Sequence, residues 1–460
     1  MKSLTRSVPI FCAFGLVLGS LGQASAQTPW HRHPAGPGDQ SWDTLGTGID
    51  GNVSALVVFE SWLVAAGSFD SAGGVAARNV AVWDGNQWHP LGNGLDSNVW
   101  DLTVYDGELI AGGDFDSAGG VPARRIASWN GASWSPLGEG INAFVGGLGV
   151  YDGRLIAGGH FDTAGSVAAN RIAAWDGLAW APLGSGMAGT ALPSVLEIIE
   201  YDGLMIAAGR FTTAGGVPAP YIAAWDGANW MPLGSGTGPD QVAALTVFDG
   251  LLIAGGYFTT AGGVPANKVA AWDGQTWAAL GSGIGGFDVF EATVYFNRLI
   301  VGGQFWAAGD SSAPNIAAWD GQSWSSLGSG VGHRVFGLTA FENKLVVAGH
   351  FEFAGGKPAP HVAMWTCPVG RTGDVTADGA VSSADIIYLI NFVFKGGPIP
   401  SPCEAAGDAN WGDIGNDCEP SSGAGDISSA DIIYLVNYVF KGGPTPCDVC
   451  MLVPDTWACP

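Results

Sequence analysis

Arg154-Leu-Ile-Ala-Gly-Gly-His-Phe161, then Ile172-Ala-Ala-Trp-Asp-Gly177, then Trp180-Ala-Pro-Leu-Gly-Ser-Gly186: with small variations this phrase occurs seven times. Its aromatic marker recurs as Phe69, Phe115, Phe161, Phe211, Phe258, Phe305 and Phe351, at intervals of 46 to 50 residues. That period belongs to propeller blades. In the second unit, apolar runs at 102–105, 108–113, 125–129 and 133–137 are separated by Asp106-Gly107 and Asn130-Gly131. Such dipeptides tolerate positive φ and signal tight hairpins. Four short antiparallel strands per unit, with no helix signal between them, make a blade.

The seventh unit stops at Trp365 without a Trp-x-x-Leu-Gly strand of its own. That strand stands alone at the other end, as Ser41-Trp-Asp-Thr-Leu-Gly-Thr-Gly48. The expectation is a mainly β chain whose residues 41–366 form a seven-bladed β-propeller closed by its N-terminal strand, closure protecting edges that would otherwise pair with other chains. The phrase resembles kelch-type repeats, with a hydrophobic strand ending in Gly-Gly, then an aromatic, then a Trp. It is also similar to the bacterial repeats related to fungal cortical cell-polarity proteins. It departs from kelch in the close spacing of Trp129 and Trp134. Both resemblances imply a propeller, and neither implies an activity.

Comparing the units shows where the pattern relaxes. The residue before the recurrent Phe is Ser68, Asp114, His160, Arg210, Tyr257, Gln304 or His350. Seven varied side chains at one level predict a ligand-binding ring at the channel mouth; the bland alternative is a solvated rim free to drift. The next residue after Phe is Asp70, Asp116 and Asp162 in three units, where an Asx-type turn bonded to its own backbone is the economical reading. The recurrent Trp83, Trp129, Trp175, Trp225, Trp272, Trp319 and Trp365 read as packing between blades, while Trp62, Trp100 and Trp306 break the repeat and are the ligand candidates.

Residues 1–26 read as a signal peptide, with Lys2 and Arg6, an apolar run, and Ala24-Ser-Ala26 as the cleavage site. A Pro/Gly-rich leader, 27–40, follows. No later segment reaches the roughly 20 apolar residues of a membrane span. The net charge of −24 argues against nucleic acid and anionic membranes. Export leaves six Cys, all after residue 366, which favours disulfides; Cys447-Asp-Val-Cys450 as half of a zinc site is the rival.

Residues 367–460 change character. Ala384-Asp-Ile-Ile-Tyr-Leu-Ile-Asn-Phe-Val-Phe-Lys-Gly-Gly-Pro398 recurs, nearly unchanged, at 430–444, and both copies carry helix start and stop signals. Before the first, Asp374, Thr376, Asp378, Ser382 and Asp385 supply oxygen at loop positions 1, 3, 5, 9 and 12, with Gly379 at 6, the pattern a Ca2+ ion requires. In the second loop Asp408, Asn410 and Asp431 match, but an insertion after Trp411 interrupts it. Duplicated units with Asp at position 12 resemble the type I dockerin. The resemblance implies a small α-helical calcium-loop domain that docks onto a cohesin-bearing partner, with Ser383, Ala384, Ser429 and Ala430 at the selecting positions.

No metalloprotease, nucleophile-elbow or phosphate-loop motif is present. The expected function is therefore a secreted, non-catalytic propeller that binds a polysaccharide or a surface protein and is tethered to an extracellular assembly through its calcium module. The alternatives are a carbohydrate-active enzyme, with His160, His350, Asp114 and Arg210 as acid and base at the mouth, and a purely structural surface protein.

Overall fold

The computed structural model describes residues 38–366 and two short paired strands, Met451–Val453 and Thr456–Ala458. The segment expected to be a signal peptide, most of the leader, the six cysteines, and the expected calcium loops and docking positions lie outside the described residues. The rest is mainly β, in a propeller-like arrangement. Among the described residues there is no helix long and apolar enough to cross a membrane.

Seven sheets carry four consecutive antiparallel strands each. In sheet three these are Val145–Tyr151, Arg154–Gly159, Ile172–Trp175 and Trp180–Pro182. Sheet seven contains Arg334–Phe341, Lys344–His350 and Val362–Trp365, and its fourth strand is Trp42–Thr44 from the other end of the chain, paired in the register Trp42↔Trp365. The displaced strand read from the sequence thus pairs where the repeat arithmetic placed it.

The hydrophobic core lies between sheets rather than within them. One cluster joins sheets one and two, through Val80, Leu102 and Phe115; another joins sheets seven and one, through Val346, Phe341, Leu63 and Phe69. Each sheet is also stitched to the one before it by the first Trp of its outer strand. The indole N–H of Trp134 donates to the carbonyl of Leu91 at 3.0 Å, and the same bond runs from Trp180 to Leu137, Trp230 to Leu183, Trp277 to Leu233 and Trp324 to Leu280. Trp42 of sheet seven donates to Leu327 of sheet six, and Trp88 of sheet one donates to Leu45, beside Trp42. The recurrent Trp83 series packs beside these donors, with Trp129 and Trp134 centroids 5.5 Å apart, so its repetition does reflect packing.

The turns agree with the sequence on one side of the sheets. Asp106 and Gly107 both take positive φ (50° and 75°), as a tight primed turn requires. The outer turns differ: only the Gly of Asn130-Gly131 is left-handed, and Asn130 instead caps the turn, its side-chain oxygen accepting from the N–H groups of Ala132 and Ser133. The expected self-capping at Asp70 and Asp116 is not what holds those turns. The carboxylate of Asp50 accepts from the N–H groups of Asp70 and Ser71, and Asp96 does the same for Asp116 and Ser117. A carboxylate from the segment before the inner strand reaches both donors at once, which releases Asp116 to pair with Arg125 at 3.0 Å.

Candidate functional site

Every innermost strand carries a bulge near its start. In sheet two Val99 pairs with Gly113 and Asp101 with Gly112, so Trp100 is the extra residue in the register. The extra residues at the corresponding bulges are Ser54, Gly146, Leu196, Ala243, Phe290 and Phe336. A bulge breaks the in–out alternation and re-aims side chains. Here it aims them into one cavity of about 110 Å³, lined by residues from the inner strands of all seven sheets.

Four aromatic side chains (Trp100, Phe144, Phe290 and Phe336) line that cavity together with three carboxylates, Asp101, Glu197 and Glu291. Trp100 stands 5.7 Å from Phe144, and Phe290 5.2 Å from Phe336. Asp101 accepts from the N–H groups of Leu102 at 2.7 Å and, on sheet three, of Leu148 at 2.6 Å. Glu197 and Glu291 each accept from the N–H of the next residue. Burial pushes Asp101 up to about 7 and Glu291 up to about 8; burial and the nearby Glu291 and Asp101 push Glu197 well above the carboxylate range. Among the described residues no group of three His, Cys, Asp or Glu is arranged to hold a metal ion.

The seven residues expected to form a ring share one register position, at the end of the sheets beyond the bulges, here called the mouth, and none of them is among the residues lining the cavity. Arg210 pairs with Ser194, Gln304 with Asp288 and His350 with Arg334, while Ser68 pairs with Asn52; the main-chain N–H groups of Asp114, His160 and Tyr257 bond the first residues of their inner hairpins. Several side chains are committed to neighbours. His160 Nδ1 lies 2.7 Å from the Pro193 carbonyl, Arg210 pairs with Asp240 at 3.4 Å, and Gln304 accepts from Arg334 Nε at 2.8 Å. Asp114 accepts from the indole of Trp100 at 2.8 Å. The proposed acid–base grouping of His160, His350, Asp114 and Arg210 is therefore spread over sheets two, three, four and seven, with these bonds going to other partners. His350 stacks on His361 at 5.8 Å and meets His333 at 5.3 Å; burial and these two rings hold it down to about 4.

Asp288 was not singled out by the sequence. It is buried, accepts from Gln241 Nε2 at 3.1 Å, and leaves Oδ1 without a partner. Burial pushes it up to about 7. Of the three repeat-breaking tryptophans, Trp306 is 59% exposed and meets Phe287, 54% exposed, edge to face at 5.7 Å. Both sit on the longest hairpin, Ile284–Tyr295 with Arg298–Ala308, on the mouth side. Trp62, 45% exposed, begins its strand six residues before Ser68 and so stands at the opposite end of sheet one, stacked on His89.

No protein-family profile and no curated protein sequence matches the chain. Among solved structures, the chain is similar to the computationally designed Ika8 protein (15% identity, 69% of this chain and 97% of that one, TM-score 0.41). It is also similar to the extracellular domain of the putative one component system BT4673 from B. thetaiotaomicron (10% identity, 74% of this chain, TM-score 0.45). It is similar, too, to that domain described as part of a putative hybrid two component system (10% identity, TM-score 0.44). The matches span 42% of those two extracellular-domain chains.

Proposed function

We propose that residues 41–366 form a closed seven-bladed propeller that acts as a non-catalytic binding module of a secreted protein, and that the C-terminal segment tethers it, in the presence of calcium, to a cohesin-bearing partner. Support for the ring comes from the run of indole bonds, which passes through every sheet and returns through Trp42 and Trp88. The observation that carries the binding role is the exposed Trp306–Phe287 pair on the mouth side. Two large apolar rings held in water on a protruding hairpin mark an interaction surface, and ring faces of this kind suit the pyranose faces of a polysaccharide. The test is binding of soluble plant and microbial polysaccharides by affinity electrophoresis. Trp306→Ala is expected to weaken retention at least tenfold, the size of an interface hot spot, without altering the melting temperature. Retention unchanged in the Trp306→Ala, Phe287→Ala double variant would remove the glycan reading.

The tether is tested separately. The intact chain should capture one partner from extracellular fractions with calcium and release it with chelator, and Asp374→Ala with Asp385→Ala should abolish capture. Calcium-independent capture would sink the dockerin reading. Asp288 favours the enzymatic alternative, since a buried carboxyl lifted to about 7 is what a general acid at neutral pH needs; polysaccharide turnover lost in Asp288→Asn would support it.

A further inference from the structure

The three cavity carboxylates occupy one structural position on alternate sheets. Asp101, Glu197 and Glu291 follow the bulged residue in sheets two, four and six. The same position holds Ala55, Gly147, Ala244 and Gly337 in sheets one, three, five and seven. No Lys, Arg or His lines the cavity, so nothing there neutralises the three acids. Outside the lining, Asp114 accepts from the indole of the cavity-lining Trp100, and Asp288, Asp240, Arg334, Lys268, His333 and His350 form a second group of interacting charges at the mouth level. Three like charges sharing so small a space lower their energy by remaining protonated.

We infer that Asp101, Glu197 and Glu291 make the grip between the seven inner strands proton-dependent: neutral, they let the strands close on one another, and ionised together, they push them apart. Asp101 transmits this directly, because its carboxyl is bonded to the main chain of the next sheet at Leu148.

The sign follows from proton counting. Unfolded carboxyls release their protons near pH 4, whereas Asp101 keeps its proton to about pH 7, Glu291 to about pH 8, and Glu197 well above the carboxylate range. The folded chain therefore holds more protons across that interval, and its stability falls as pH rises through it. His333 and His350 are held below their ordinary value and act oppositely, costing stability as pH falls below about 6.5. The window from pH 6.5 to pH 9 isolates the carboxyls, with Asp288 as a minor contributor.

The experiment is the thermal unfolding of the full chain across that window, followed by tryptophan fluorescence. The parent should lose roughly 10 °C of melting temperature between pH 6.5 and pH 9. The D101N/E197Q/E291Q variant should lose less than half as much, the remainder belonging to Asp288. Should the triple variant not fold, Glu197→Gln alone should flatten the slope by about a third, while exposed Glu200→Gln leaves it unchanged. A parent that does not soften above pH 6.5, or variants that soften as the parent does, would overturn the inference.

Discussion

Trp42→Ala should lower the melting temperature by roughly 5 °C, the consequence of losing about 3–5 kcal/mol from a fully buried aromatic. Trp42 is 1% exposed, lies 5.1 Å from Trp365, and donates its indole proton to Leu327. A methyl group on Gly355 would come within 2.3 Å of its Cδ1, so that glycine exists to let the indole seat. The ammonium of Lys357 also bonds the Trp42 carbonyl. What separates this residue from Trp134 or Trp277 is connectivity. Those strands are tied by a tight turn to the strand they pair with, whereas Trp42–Thr44 reaches Val362–Trp365 only through space. Loss of its anchor would expose the Val362–Trp365 edge, and exposed edges pair with other chains. Calorimetry and size-exclusion chromatography should therefore show a lower transition and a shift toward aggregates. A variant that melts within about 3 °C of the parent and stays dispersed would show that the seventh sheet does not depend on this strand.

Gly159→Ala is the second large effect. The second glycine of each Gly-Gly pair faces the bulge, and a Cβ there would lie 2.0 Å from the Phe144 carbonyl oxygen. Equivalent approaches are 2.1 Å at Gly67, 2.2 Å at Gly113 and 2.3 Å at Gly256. The obstacle is main chain on a paired strand and cannot rotate away, so the bulge must be forced open at about 3 kcal/mol. Gly120→Ala provides the contrast. Gly120 has φ 87° with open space around it, and the same substitution there should cost about 1 kcal/mol, from backbone strain alone. Urea denaturation of the two variants decides between them. Equal losses would mean the close approach is relieved by a small shift of the strand.

Both effects come from features visible as repeats. The period, the strand spacing and the displaced Trp-x-x-Leu-Gly strand were legible because each repeats a residue type for a packing reason. The shared level of Ser68 through His350 was legible for the same reason. The cavity carboxylates were not. Along 99–105 the sequence reads Val-Trp-Asp-Leu-Thr-Val-Tyr, and strict alternation would place Trp100 and Asp101 on opposite faces of the sheet. The bulge cancels that alternation, and both line the same cavity. The signal was present in the comparison of units, where acids alternate with Ala and Gly, but facing cannot be derived without the register. Asp288 was hidden differently: it lies in the unit whose hairpin is longest, so its alignment with Asn52 and Gln241 emerges only from the strand pairing.

Alternation on an odd number of sheets has a geometric outcome. Acids on sheets two, four and six are separated by single small residues, but between six and two stand seven and one, which carry Gly337 and Ala55. In a closed ring that pairing is a parity fault. It gives the cavity an acidic arc and one neutral wall, and the neutral wall falls at the junction where the two ends of the repeat region meet. A lining with perfect rotational symmetry would have no preferred side. This one has a built-in direction, with three carboxyls on one side and only Gly337 and Ala55 at the same position along the seam.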